Sequence, residues 1–198
     1  MVPYHRTFDA MAGMFGWMFR VAGVPFGFLE GKSFLEIGTG QYMNHPFCAL
    51  VCGASEVWTY DVKDNRVPCQ GDPFGSTVMA NRFLSGLVFQ HDFEERMTKY
   101  AIQDIKFTTE WPIKRFNVVF SYAVLEHIPP ENVGSAVLNI KKCINNFGIS
   151  LHYIDLSDKN KSNNYNVFDW EDIFRALRWA VDISFQAYDG SYMIIKTS

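Results

Sequence analysis

A buried strand that runs into a glycine turn constrains this chain more than any other feature of its sequence. The apolar stretch Ser33-Phe34-Leu35-Glu36-Ile37 is followed at once by Gly38-Thr39-Gly40. A short apolar run that ends in glycines predicts a buried strand and a tight turn. Because glycine lets the backbone approach a bound molecule closely, the turn is a candidate ligand site.

An acidic residue after the next strand completes this pattern. The run Val57-Trp58-Thr59-Tyr60 predicts the strand, and Asp61 follows it directly. The carboxyl ends of parallel strands meet at one edge of a sheet, and an acid there can accept hydrogen bonds from ribose hydroxyls. The turn and Asp61 together indicate a nucleoside-binding site. The alternative is a structural turn and a surface aspartate.

Strands and helices alternate along the rest of the chain, which predicts an α/β fold with a parallel sheet. Asp189-Gly190 lies between two alternating runs and predicts a closing antiparallel hairpin. Asp169-Trp170-Glu171-Asp172 predicts the start of a helix by a capping box. Further strands are predicted at 116–121 and 148–153, further helices at 43–52 and 76–99, and a loop at 64–76. Another helix is predicted after Pro129-Pro130, with an apolar repeat from Val133 to Ile144 and with Lys141-Lys142 near its end.

Composition limits the kinds of partner. The 198 residues carry a net charge of −3, and basic residues occur at most as doublets, so a nucleic-acid partner is not expected. Cys48, Cys52, Cys69 and Cys143 form no C-x-x-C pair, which favours core thiols over a metal site and fits the reduced cytoplasm. No apolar run is long enough for a transmembrane helix, so no integral membrane segment is expected.

The length favours one domain over 1–198, with an aromatic arm at 1–30 and a core at 33–198. Phe15, Trp17 and Phe19 in the arm have two interpretations, because a partly helical spacing suits both core packing and a flap that walls a ligand pocket.

The spacing of the glycines distinguishes between classes of nucleoside cofactor. A dinucleotide site requires a third glycine where this chain has Met43, which argues against pyrophosphate binding and a nicotinamide-dependent oxidoreductase. No Gly-Lys-Ser/Thr follows the turn, so a P-loop is absent as well.

Three motifs resemble those of class I S-adenosylmethionine-dependent methyltransferases. Residues 34–40 resemble the first motif, Trp58-Thr59-Tyr60-Asp61-Val62 the second, and 116–121 with Val124-Leu125-Glu126-His127-Ile128 the fourth and its continuation. The resemblance covers 33–198 and implies a three-layer Rossmann-like fold, with a mostly parallel seven-stranded sheet and a C-terminal antiparallel hairpin. His152 to Asp158 is also similar to a stretch of methyltransferases from bacterial surface-polysaccharide clusters.

The resemblance also implies site roles. It assigns the methionine part of S-adenosylmethionine to the first motif and the ribose to Asp61. The adenine is assigned to Val62 and to Asp104 or Ile105, where the alignment with the family is loose. The end of the fourth-motif strand would face the methionine carboxylate or the acceptor. The cofactor-binding residues expected on this basis are Glu36, Ile37, Gly38, Thr39, Gly40, Asp61, Val62, Asp104, Ile105, Ser121 and Tyr122.

Methyl displacement onto a hydroxyl benefits from a base that takes the proton. His127 and His152 are the candidates, and Asp155 is predicted to orient His152 or to bind a sugar hydroxyl. No metal is expected; a divalent ion held by Glu126-His127, by resemblance to some relatives, is the minor alternative. We expect O-methylation of a glycan, sugar or other small molecule, with S-adenosylhomocysteine as product, and a homodimer is left open.

One departure from the family keeps a second function open. Many members have a third glycine where this chain has Tyr42. The alternative is therefore a catalytically inactive methyltransferase-like binding or scaffold protein.

Overall fold

The computed structural model describes residues 8–25, 27–40, 43–64, 95–96, 104–157, 161–177, 179, 181–186 and 191–198. The chain forms two compact units, Met1–Glu110 and Trp111–Ser198. The prediction of a single domain stays a prediction. The first unit contains helix α1 (Phe8–Val21), strand β1 (Ser33–Ile37), helix α2 (Asn44–Val51), and strands β2 (Glu56–Tyr60) and β3 (Ile105–Thr108).

The strands of the first unit are parallel and lie in the order β3-β2-β1. In β1, every residue after Ser33 is buried, as its apolar sequence predicts. Phe15 and Phe19 of α1 are fully buried, and the ring centroid of Phe15 lies 4.7 Å from that of Phe19 and 6.0 Å from that of Phe34. These two side chains pack in the core, so the prediction of a pocket wall is wrong for them.

Helix α2 ends at a glycine, as its sequence predicts. Gly53 has φ +93°, and its N–H donates to the Leu50 carbonyl at 2.9 Å while Ala54 N–H donates to Ala49 at 3.0 Å. This pair of bonds is the Schellman arrangement, which needs a left-handed residue just past the helix. Cys48 and Cys52 are free and buried at this end, and Cys143 is free and buried in the second unit, as expected for core thiols. Cys69 lies outside the described residues.

The second unit contains strand β4 (Phe116–Tyr122), a 3₁₀ turn (Leu125–His127), helix α3 (Pro130–Lys142), strand β5 (Ile144–Asp155), helix α4 (Val167–Ala176), and strands β6 (Val181–Gln186) and β7 (Tyr192–Thr197). Its strands lie in the order β4-β5-β7-β6. Strands β4 and β5 are parallel, whereas β7 is antiparallel to both β5 and β6. The predicted α/β class, mostly parallel with a C-terminal hairpin, is confirmed, and the described residues form seven strands.

Two predicted boundaries need correction. Strand β5 is longer than the predicted 148–153, because it begins at Ile144, four residues before Gly148. Helix α4 begins at Val167, because Asn166 is the N-cap and Asp169 is the third helical residue of the capping box. The predicted loop at 64–76, the helix at 76–99 and the Asp189-Gly190 turn fall almost wholly or wholly outside the described residues.

Helix α3 runs from Pro130 to Lys142, with proline at its start and Lys141 and Lys142 in its last turn, as predicted. The predicted apolar repeat extends to Ile144, but this residue begins β5 instead. No helix in the described part of the chain is long and apolar enough to cross a lipid bilayer.

The cap of α4 gives a first prediction. Asn166 Oδ1 accepts hydrogen bonds from Phe168 N–H at 2.8 Å and Asp169 N–H at 3.2 Å. Asn166→Ala removes both bonds and is expected to lower the free energy of unfolding by about 1 kcal/mol. Asn166→Asp keeps the acceptor and should stay close to wild type in urea denaturation. Equal losses in the two variants would contradict a capping role.

Candidate functional site

The glycine turn after β1 has the backbone geometry that its sequence predicts. Gly38 and Gly40 have φ +73° and +65°, a region that side chains other than glycine rarely adopt. Gly38 N–H donates to the carbonyl of Tyr60 at 2.8 Å, which ties the turn to the end of β2. A Cβ added to Gly40 would meet no atom of the described residues within 4 Å. Among the described residues, nothing fills the space on that side of the turn.

Asp61 contacts the turn directly. Its Oδ2 accepts the Gly40 N–H at 3.0 Å, and its own N–H donates to the carbonyl of Thr108 at the end of β3. The carboxylate is only partly buried. The structure thus brings the turn and the acid together, as the parallel strand order requires. Val62 follows Asp61 and is 73% exposed, so its side chain is accessible beside this strand edge.

Glu36 lies beneath the turn and is 3% exposed. Its Oε1 lies 2.9 Å from Nδ1 of His45, a residue of α2 that is also buried. In the described part of the chain, Glu36 Oε2 and Thr39 Oγ1 are buried and have no hydrogen-bond partner. Ile37 is a core residue. His45 is a site residue that sequence reasoning missed, because no spacing pattern links it to Glu36.

The predicted adenine contacts of Asp104 and Ile105 are wrong. Ile105 begins β3, pairs with Val57 in β2, and is 5% exposed. Asp61 instead bonds to Thr108 at the opposite end of β3, about 10 Å along the strand from Ile105. Asp104 and Ile105 therefore lie at the amino edge of these strands, away from the glycine turn.

In the second unit, Ser121 and His152 are fully buried and paired. Ser121 Oγ lies 2.8 Å from His152 Nδ1, and the His152 ring packs 5.5 Å from that of Phe174. Burial lowers the pKa of His152 to about 3, so this imidazole stays neutral near pH 7. The prediction of His152 as general base is wrong, since its side chain does not reach solvent. The Ser121 side chain is enclosed as well, and a ligand contact through the Ser121 backbone stays a prediction.

The predicted orienting contact of Asp155 with His152 is wrong as well. The two residues are an odd number of positions apart in β5, so their side chains point to opposite faces of the strand. Asp155 Oδ1 instead accepts hydrogen bonds from Ser157 N–H at 2.9 Å and Ser157 Oγ–H at 2.8 Å. The alternative role of Asp155, binding a sugar hydroxyl, stays a prediction.

Three tyrosines share a face with Asp155 at the carboxyl end of β4 and β5. The Tyr122 and Tyr153 rings stack with centroids 4.7 Å apart, and Tyr153 and Tyr192 stack at 5.2 Å. Burial, followed by the charge of Asp155, raises the pKa of Tyr122, and burial also raises that of Tyr153. Tyr122 and Tyr153 therefore remain protonated at neutral pH, and the tyrosine stack lies beside the side chain of Asp155.

Glu126 and His127 have different environments although they are neighbours. His127 ends the 3₁₀ turn and is exposed, so it stays the candidate base. Glu126 is 1% exposed, and its Oε1 accepts the Asp155 N–H at 2.8 Å. Asn163 Nδ2 donates to the carbonyls of Leu125 and Ile128, which closes the loop over Glu126. Burial raises the pKa of Glu126 to about 7.

Comparison with known proteins finds solved structures that resemble this fold. The sequence matches no protein-family model, and no curated protein matches it significantly. Among solved structures, the ribosomal protein L11 methylase of Lactobacillus delbrueckii subsp. bulgaricus is 15% identical with a TM-score of 0.56, covering 100% of this chain and 80% of that one.

Two further structures contain the cofactor or its product. The magnesium protoporphyrin IX methyltransferase of Synechocystis PCC 6803, with bound S-adenosylmethionine, is 11% identical with a TM-score of 0.59, covering 96% of this chain and 78% of that one. The 1,6-didemethyltoxoflavin-N1-methyltransferase of Burkholderia thailandensis, with S-adenosylhomocysteine, is 14% identical with a TM-score of 0.56, covering 96% and 77%. At these identities the likeness shows the fold: this chain has the Rossmann-like methyltransferase fold.

The raised pKa of Glu126 predicts a pH-dependent stability. Its folded value of about 7 lies above the ordinary 4.5, so the folded state binds this proton more tightly than the unfolded state. Stability is therefore lost as the pH rises through this window. Glu126→Gln keeps an acceptor for Asp155 N–H, and we expect it to be more stable than wild type at pH 8 by roughly 1–3 kcal/mol.

Urea denaturation between pH 5 and pH 8 measures this difference. Glu131→Gln, at an exposed position of α3, is the control and should follow the wild-type curve at every pH. A Glu126→Gln curve that runs parallel to the wild-type curve would show that Glu126 does not titrate in this window.

Proposed function

We propose that this chain is an S-adenosylmethionine-dependent methyltransferase that methylates a hydroxyl of a sugar or other small molecule. The hydrogen bond from Gly40 N–H to Asp61 Oδ2 is the observation that carries the proposal, because it places a partly exposed carboxylate beside an open glycine turn. A nucleoside needs that combination: backbone that can be approached closely, and an acceptor for ribose hydroxyls.

The residues of the first unit fit this cofactor. Asp61 would accept the ribose hydroxyls, and Val62 would lie along the adenine. The backbone of Gly38, Thr39 and Gly40 would hold the methionine part. A buried acceptor without a partner is costly, and the lone Oε2 of Glu36 gains a donor if the cofactor's ammonium group binds there.

When bound, the cofactor supplies a methyl group on a positively charged sulfur. The protein's own task is then to position the acceptor and to take its proton. His127 suits the second role, since it is exposed at the carboxyl end of β4 whereas His152 is buried and neutral.

The acceptor class is inferred from the second unit. The solved methyltransferases named above carry different substrates in their names: ribosomal protein L11, magnesium protoporphyrin IX and 1,6-didemethyltoxoflavin. In this chain, Tyr122 and Tyr192 flank Tyr153 in the tyrosine stack, beside Asp155. Aromatic surface next to a hydroxyl-binding carboxylate suits a sugar ring or a small planar molecule. The net charge of −3 disfavours nucleic acid.

A catalytically inactive scaffold protein remains the second candidate function. Its motivation is Tyr42 in the glycine turn, which lies outside the described residues.

The free buried thiols of Cys48, Cys52 and Cys143 support action in a reducing compartment such as the cytoplasm.

Isothermal titration with S-adenosylhomocysteine tests the cofactor proposal. Asp61→Asn retains an oxygen that can accept the Gly40 N–H but loses the charge, so we expect binding to weaken roughly 10- to 100-fold. Asp172→Asn, at an exposed position of α4, is the matched control and should bind like wild type. A wild-type protein that does not bind S-adenosylhomocysteine would overturn the proposed function.

Transfer of labelled methyl from S-adenosylmethionine to monosaccharides, sugar nucleotides and small phenols tests the acceptor and the base. With an acceptor found, His127→Gln is expected to lower turnover by roughly 100-fold or more, the usual contribution of a general base. Its affinity for S-adenosylhomocysteine should be unchanged. Undiminished turnover would exclude His127, and cofactor binding without transfer to any acceptor would favour the scaffold alternative.

A further inference from the structure

The pair formed by Glu36 and His45 has features that a packing role does not require. Glu36 is 3% and His45 5% exposed, and Glu36 Oε1 lies 2.9 Å from His45 Nδ1. The His45 ring also stacks on Phe15, with centroids 6.2 Å apart and planes 20° apart. A buried carboxylate is thus held by one hydrogen bond to a ring whose own orientation is fixed by the core.

The second carboxylate oxygen of Glu36, Oε2, takes no part in the hydrogen bond to His45. Within the described ranges, Glu36 Oε2 is buried and has no hydrogen-bond partner, and the same is true of Thr39 Oγ1 in the glycine turn. A carboxylate oxygen only accepts, so its missing partner must be a donor. Leaving such an atom unsatisfied is costly, and native structures keep few of them. The arrangement therefore points to a ligand group that donates hydrogen bonds and carries positive charge.

We propose, on the basis of the proposed function, that His45 is a positioning residue that fixes Glu36 as the acceptor for the ammonium group of the cofactor's methionine part. In its Nδ1–H tautomer the imidazole donates to Oε1 and leaves Oε2 as the oxygen that can accept from the ligand. Through that bond, His45 adjusts affinity for the amino-acid end of the ligand and has no direct contact with its adenosine end.

The chemistry of histidine suits this position better than that of a permanent cation. An arginine or lysine next to Glu36 would neutralise its charge and repel an ammonium group. An imidazole can donate one hydrogen bond to a carboxylate without carrying the permanent positive charge of a guanidinium. The local backbone supports the placement, since Met43 at the N-cap of α2 has φ +53° and α2 begins directly before His45.

The aromatic arm takes part in this arrangement. Phe15 contacts His45 on one side and packs against Phe19 and Phe34 on the other. The interplanar angle of 20° shows that the Phe15 and His45 rings are nearly parallel, and the packing against Phe15 restricts the rotation of the imidazole. Helix α1 thereby supports the orientation of Glu36 from within the core.

A pair of ligands separates the proposed role from general structural support. S-Adenosylhomocysteine carries the ammonium group, whereas 5′-methylthioadenosine has the same nucleoside and a thioether but no amino acid. Calorimetry with both ligands is performed on wild type, His45→Leu, His45→Asn and Glu36→Gln. The asparagine Nδ2 can donate from nearly the position of the histidine Nδ1, so His45→Asn is the conservative variant.

We expect His45→Leu and Glu36→Gln to weaken S-adenosylhomocysteine binding about tenfold or more, with 5′-methylthioadenosine affinity changed less than about twofold. His45→Asn should restore most of the affinity. Glu36→Gln preserves the shape of the side chain, so this variant still tests the proposal if His45→Leu does not fold.

The outcomes are distinguishable. Wild type that binds neither ligand overturns the proposed function itself. Wild type that binds both ligands equally well overturns the ammonium contact and leaves nucleoside binding intact. Equal losses for both ligands in His45→Leu, or failure of His45→Asn to restore binding, would reduce His45 to a packing residue.

Discussion

The hydrogen bond from the Gly40 amide to the Asp61 carboxylate is the contact on which the candidate cofactor site depends. It forms because β1 and β2 are parallel and in register from Ser33 with Glu56 to Ile37 with Tyr60, so both strands end at one edge. Glycine is needed at the turn because the backbone there has positive φ. An acid directly after β2 then accepts the Gly40 amide N–H.

Burial decides which titratable groups of the second unit are available for chemistry. His127 follows β4 and His152 lies within β5, yet His152 is enclosed beside Phe174 and His127 is exposed. Glu126 is enclosed as well, and the low polarity of its surroundings raises its pKa. Two titratable groups near these keep contact with solvent: His127 is exposed, and Asp155 is partly exposed. Solvent exposure therefore distinguishes His127 from His152 as a candidate base, which the sequence motifs alone do not.

The aromatic arm has a different role from the one that its composition first indicates. Phe15 and Phe19 are core residues, so they do not form a free pocket wall. Through Phe15, however, the core reaches His45 and, by one further bond, Glu36 at the glycine turn. Packing and site geometry are linked here, because the ring that stabilises the core also restricts a side chain of the site.

The sequence by itself determined the features that rest on local chemistry. Strand β1, the glycine turn and Asp61 follow from an apolar run, positive φ and a strand end, and α3 follows from its apolar spacing and Pro130. Even the wrong pairing of Asp155 with His152 could have been avoided, since alternation along a strand places residues an odd number apart on opposite faces.

Only the tertiary structure decided the rest. The starting point of β3 placed Ile105 at the amino edge, and this depends on pairing with β2 across a long stretch of chain. The contact between Glu36 and His45 depends on how α2 packs on β1. The burial of His152 depends on Phe174 of α4. These are non-local properties, fixed by which surfaces the folded chain brings together, and no spacing within one segment encodes them.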